Sequence, residues 1–178
     1  MSKKELRAAM KKRNLSLSSE ERAAASEGIF GRVEQIPGFS AARCAAFFCA
    51  LPDEPGTAAA LARWCASKRI VVPRVEGDAM RFYDYAPDAL CRGAFGIAEP
   101  TAAVRPCEPA DIDLIIVPGV AFTAAGARMG RGRGYYDKYL SQPGFRAVKV
   151  GVCYGHQLVA ELPVEPHDVF MDYVVTDN

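Results

Sequence analysis

The segment Asp113–Leu140, DLIIVPGVAFTAAGARMGRGRGYYDKYL, constrains the fold more than any other stretch of the chain. Its opening run, DLIIV, is apolar without alternation, as expected of a strand buried on both faces in a parallel sheet covered by helices. Pro118-Gly119 ends the run, a glycine-rich loop follows, and a helix is predicted from about Tyr135 to Ser141. Strand, loop and helix in that order put the loop at the carboxyl end of a parallel strand, where such sheets bind ligands.

The flanking sequence repeats the alternation. Ser2 with Glu5, and Ser18 with Glu21, are capping-box pairs that predict helices over Lys3–Arg13 and from Ser18 to about Gln35. Ala25, Ile29, Val33 and Ile36 form one buried stripe on the second helix. Arg43–Ala50 reads as a buried strand, followed by the turn Leu51–Gly56. A third helix is capped by Thr57 and marked by Ala58, Leu61, Ala62 and Cys65. Further strands are predicted at Ile70–Pro73, Met80–Tyr85, Ala147–Tyr154 and Asp172–Thr176, while 86–110 shows no clear period. The expectation is an α/β fold: one layered domain over 1–178 with a mainly parallel central sheet flanked by helices.

The 178 residues carry 22 Lys and Arg against 21 Asp and Glu, a balance that argues against nucleic-acid binding through bulk charge. The charge is unevenly placed. Lys3, Lys4, Arg7, Lys11, Lys12 and Arg13 crowd the first helix. Glu161, Glu165, Asp168, Asp172 and Asp177 crowd the last stretch, so the two ends are either solvated or flank one site. Six cysteines form no CxxC pair and read as small buried hydrophobes; Cys153 with His156 has no second pair to complete a zinc set. No apolar export segment or membrane-length run is visible, so reduced thiols and a cytoplasmic protein without a membrane partner are expected.

Gly130, Gly132 and Gly134 alternate with Arg131 and Arg133. Glycines let peptide N–H groups approach an anion, the following helix turns its positive end toward it, and guanidinium forks suit phosphate oxygens. No GK[ST] follows and the spacing is not GxGxxG, so this is neither a P-loop nor a dinucleotide fingerprint. Two other readings stand beside phosphate binding: a flexible loop with solvated arginines, and an RNA contact with Tyr135 and Tyr136 as stacking platforms. Asp137 is either a first-turn helix acid or a Mg²⁺ ligand, with Asp168 as a second carboxylate. His167 reads as an exposed loop histidine.

The same segment resembles the signature of the 5-formyltetrahydrofolate cyclo-ligase (methenyltetrahydrofolate synthetase) family. KKELR, LPDEPGT, FGIAEP and LPVEPHDVFMD support it in family order across nearly the whole chain. The resemblance implies ATP- and Mg²⁺-dependent closure of 5-formyltetrahydrofolate to 5,10-methenyltetrahydrofolate through a phosphorylated formyl group. It implies ATP contacts at Lys3, Lys4, Arg7, Arg128, Met129, Gly130, Arg131, Gly132, Arg133, Gly134, Tyr135 and Tyr136. Folate contacts are implied at Glu54, Phe95 and Arg131–Tyr135, catalysis at Arg131 and Arg133, and Mg²⁺ ligation at Asp137 and Asp168. Small-molecule substrates, no nucleic acid and a monomer complete that expectation. A non-catalytic folate or nucleotide sensor is the competing class.

Overall fold

The computed structural model describes residues 1–86, 90–92, 98–100 and 104–178, with 90–92 described through the backbone alone. Helices α1 (Lys3–Leu15) and α2 (Ser19–Val33) both start with the predicted reciprocal cap: each serine side chain accepts from the backbone of the glutamate three residues on, which returns the bond. The chain continues through β1 (Cys44–Ala46), α3 (Ala58–Trp64), β2 (Arg69–Glu76), β3 (Ala79–Asp84), β4 (Leu90–Arg92), β5 (Ala98–Pro100) and β6 (Pro106–Cys107). It ends with β7 (Leu114–Val117), β8 (Ala121–Phe122), β9 (Arg128–Met129), α4 (Tyr135–Leu140), β10 (Val148–Val152) and β11 (Tyr173–Val175).

The main sheet has the order β11-β10-β7-β1-β2-β3-β6. Its first four pairings are parallel and the last two antiparallel, so the mainly parallel α/β expectation holds. Two small antiparallel pairs, β4-β5 and β8-β9, lie beside it. Consecutive residues of β7 explain the unbroken apolar run. Leu114 and Ile116 pack with Phe30, Phe47 and Trp64 in the core beneath α2 and α3. Ile115 and Val117 pack with Phe82, Phe122, Tyr139 and Leu140 beneath α4. With both faces covered, alternation would bury polar side chains, and the sequence avoids it.

Three local expectations give way to tertiary packing. The strand predicted over Arg43–Ala50 is paired only at Cys44–Ala46, because the chain leaves the sheet after Phe47 N–H bonds the Val71 carbonyl and enters the loop end. Thr57 does not cap α3 through its hydroxyl, which instead accepts from Ala50 N–H at 3.1 Å. The buried stripe of α3 is Ala60, Leu61 and Trp64, shifted from the predicted set, since burying the indole removes more apolar surface than burying Cys65. Cys65 is accordingly exposed and Cys49 half-buried, while Cys44, Cys107 and Cys153 are buried as expected.

Candidate functional site

Leaving β1 the chain turns toward β2 on one side of the sheet; leaving β7 it turns toward β10 on the other. The carboxyl ends of β1 and β7 therefore form a topological switch point, where open α/β sheets leave a crevice. A cavity of about 820 Å³ lies there, lined by Phe48 and Cys49 after β1 and by Pro118 and Gly119 after β7. Its volume is in the upper part of the range for small-molecule sites.

The glycine loop enters this cavity from the β8-β9 hairpin, which pairs Ala121 with Met129 and Phe122 with Arg128. Gly132 and Gly134 have φ of 101° and 73°, left-handed values that a side chain would strain. At Gly132 a Cβ would also stand 3.5 Å from the Arg7 guanidinium. Arg7 Nε donates to the Gly130 carbonyl at 3.0 Å, and Met10 packs against Val120 and Met129, so α1 lies over the loop. Helix α4 has six residues, too short for its dipole to govern the site. Positive charge is supplied by the side chains of Lys3, Arg7, Arg128, Arg131 and Arg133 among the lining residues.

Arg128, Met129, Gly130, Arg131, Gly132, Arg133, Gly134, Tyr135 and Tyr136 all line the cavity, as do Lys3, Arg7, Glu54, Asp137 and Asp168. Lys4 is exposed and is not among the lining residues, since adjacent helix positions point about 100° apart. Phe95 lies outside the described residues. Lys3 pairs with Glu165 at 3.1 Å, so the basic and acidic ends of the chain do flank one site. His167 is largely exposed as expected, yet it stands at the rim with Nε2 3.3 Å from Glu165 and 3.6 Å from Asp168.

Arg131 is the centre of the electrostatics. Its Nη2 lies 2.9 Å from Asp53 and 3.4 Å from Glu54, both of which are buried. The turn carrying them is fastened: the Asp53 carbonyl accepts from Asn14, the Glu54 carbonyl from Arg22 and Tyr154, and Glu54 Oε1 from Leu51 N–H. One guanidinium serves two buried acids. Burial therefore holds the Glu54 carboxyl above its usual value although Arg131 and the Leu51 N–H pull it down. For Arg131 burial works against the charge, and the two carboxylates outweigh it, so its pKa is raised. Asp53 escaped the sequence reading; its only signal was a second acid beside Glu54, which local pattern cannot connect to an arginine so distant in sequence.

A pH dependence of stability follows. Folded Glu54 keeps its proton to higher pH than the unfolded chain, whose value is about 4.5. Its contribution is therefore fullest below that value and is lost as pH rises through the raised folded value. Glu54→Gln keeps the acceptor for Leu51 N–H and removes the titration. Thermal unfolding should show its melting temperature, relative to wild type, climbing as pH rises from 4.5 toward neutrality. A gap that shrinks toward neutrality would contradict this sign.

Arg128 is buried beside the loop, donating through Nε to the Pro118 carbonyl at 2.7 Å, with its guanidinium 5.1 Å from the centre of the Tyr136 ring. Burial pulls its pKa down against the opposing charge of Asp137, 3.9 Å away, and pushes that of Tyr136 well up. Asp137 Oδ1 accepts from Val169 N–H, and Asp168 Oδ2 from Glu165 N–H. Each thus has one oxygen engaged by the backbone of the 165–169 segment, which sets these two carboxylates on adjoining parts of the cavity. Among the described residues no group of three or more His, Cys, Asp or Glu forms a ready-made metal cage. Two carboxylates are the donor set that suits a hard cation completing its shell with ligand oxygens and water.

The sequence model of the 5-formyltetrahydrofolate cyclo-ligase family matches residues 1–177. The 5-formyltetrahydrofolate cyclo-ligase of Mycolicibacterium smegmatis is 31% identical over 98% of this chain and 93% of its own. That of Escherichia coli K12 is 30% identical over 95% and 97%, respectively. The NMR structure of Aquifex aeolicus 5,10-methenyltetrahydrofolate synthetase superposes with a TM-score of 0.88 at 35% identity, covering 99% of this chain and 90% of that one. Likeness of this extent in sequence and in backbone shows that the chain belongs to the 5-formyltetrahydrofolate cyclo-ligase family.

Proposed function

We propose that this protein closes 5-formyltetrahydrofolate to 5,10-methenyltetrahydrofolate at the expense of ATP, releasing ADP and phosphate. The observation that carries the reading is Arg131: it stands on the glycine loop in a cavity also lined by Lys3, Arg7 and Arg128, and it pairs with Asp53 and Glu54 from the turn after β1. In this reading one residue serves both the nucleotide and the folate sides of a single cavity.

The formyl oxygen of an amide is a poor leaving group. Transfer of the γ-phosphoryl group to it breaks the bond to the β-phosphate oxygen and leaves an iminium phosphate. N10 then attacks the formyl carbon, the carbon–oxygen bond breaks to release phosphate, and N10 gives up its proton as the ring closes. Catalysis here is positioning and charge neutralisation. Lys3, Arg7 and Arg128 offer the phosphates fixed positive charge, peptide N–H groups of Gly130–Gly134 approach them closely, and Arg131 and Arg133 follow the charge on the moving phosphoryl group. Glu54 faces the folate. Asp137 and Asp168 would hold Mg²⁺, which when bound supplies charge neutralisation at the phosphate oxygens.

The test is the absorbance of the methenyl product with wild-type protein, omitting ATP, Mg²⁺ and 5-formyltetrahydrofolate in turn. Product should appear only with all three, and Asp137→Ala should abolish it in a protein that still folds. Tight folate binding with no product under any condition would favour the sensor instead.

A further inference from the structure

The cavity is also lined by an acid that the chemistry above does not use. Glu99, on β5, is 8% exposed and lines the cavity. Its Oε2 accepts from Val75 N–H at 2.8 Å, and Oε1 takes no hydrogen bond or ion pair from the described residues. A carboxylate buried without a cation is costly unless donors reach it. The walls around it are apolar: Pro73 and Val75 on β2, Met80 facing Val75 across the β2-β3 pair, and Phe48 and Cys49 after β1. A buried acceptor beside apolar lining residues suits a flat heterocycle that presents hydrogen-bond donors.

We propose that Glu99 determines specificity for the 2-amino-4-oxopyrimidine ring of the substrate, accepting from N3–H and the exocyclic 2-amino group. The assignment rests on the cavity's taking the folate. The two adjacent donors of that ring match the two oxygens of a carboxylate, and Oε2 retains a lone pair after serving Val75. Adenine, the other ring in the reaction, sets a donor beside the N1 lone pair, and that lone pair would face an acceptor. Glu99 therefore selects the folate ring over adenine, leaving the nucleotide to the arginines of the cavity. A site built to bond an N–H rejects a ring that lacks it, because its own polar group is then left unmatched.

The test pairs a protein change with a substrate change. Glu99→Gln keeps an acceptor for Val75 N–H and removes the carboxylate. With wild type confirmed to form the methenyl product, the variant should raise KM for 5-formyltetrahydrofolate about 10- to 100-fold and leave KM for ATP within about twofold. A folate analogue with methyl in place of the 2-amino group should bind wild type more weakly by a similar factor, and Glu99→Gln no more weakly than the parent folate. A role confined to holding β2 would penalise the analogue equally in both proteins, which overturns the proposal. So would a rise in KM for ATP with that for folate unchanged. Should wild type make no product, the catalytic reading falls alone: equilibrium dialysis of folate and analogue against both proteins reads the same coupling, and its absence, or absence of folate binding, refutes the role of Glu99.

Discussion

If Arg131 follows the charge on the transferring phosphoryl group as proposed, Arg131→Ala is expected to lower kcat about 10³-fold, the size of effect a guanidinium in that role typically supplies. The same change leaves Asp53 and Glu54 buried with no cation between them. Glu54 should then be pushed further above its ordinary value, and the variant should lose stability most steeply toward neutral pH. Arg131→Lys should restore little: Nη2 alone meets both acids in wild type, and a lysine ammonium serving them leaves no planar donors over for a phosphoryl group. Steady-state kinetics with a circular-dichroism check of the fold decide it. A loss of less than tenfold would place the catalytic charge elsewhere on the loop.

The second large effect lies under the loop. Phe122 is fully buried where β8 begins the hairpin that presents Gly130–Gly134. Its ring fills a notch left by two glycines at the carboxyl ends of neighbouring strands: a Cβ on Gly119 would stand 2.7 Å from the ring, and one on Gly151 would also collide with it. Phe122→Ala should cost about 3–5 kcal/mol, through lost transfer free energy and a cavity that the flanking strands cannot close. That is a large fraction of the stability of an ordinary domain. Gly151→Ala should cost about 1–3 kcal/mol by overpacking the same notch. Urea unfolding measures both; a loss under 1 kcal/mol for Phe122→Ala would mean that the hairpin is anchored by other contacts.

What the sequence made legible is what short-range physics controls. Ser2 with Glu5 and Ser18 with Glu21 carry their partners within one turn, so both helix starts could be read directly. The unbroken DLIIV run announces a strand covered on both sides, and with it the parallel sheet and the placement of the loop. The failures share the opposite cause. Thr57 looked like a cap, but its hydroxyl is claimed by Ala50 across a turn. The stripe on α3 shifted because Trp64 needed the core more than Cys65 did.

At the site, the glycine and arginine pattern located the cavity, and Lys3, Arg7, Glu54, Asp137 and Asp168 converge on it with the loop. Lys4 does not, for helical geometry turns it away. Asp53 and Glu99 went unread because each acquires its meaning from a residue on another element: Arg131 in the first case, Val75 in the second. No local spacing encodes such pairings.

Helix α1 is tied to residues far along the chain, Arg7 to the Gly130 carbonyl and Lys3 to Glu165. During synthesis α1 precedes these two partners by 123 and 162 residues, so neither contact can form until those segments have emerged. Contacts of such long sequence separation are costly in loop-closure entropy and form late. The cavity is thereby completed late in folding, and a ligand that bridges α1 and the glycine loop would act as a clasp between segments made far apart in time.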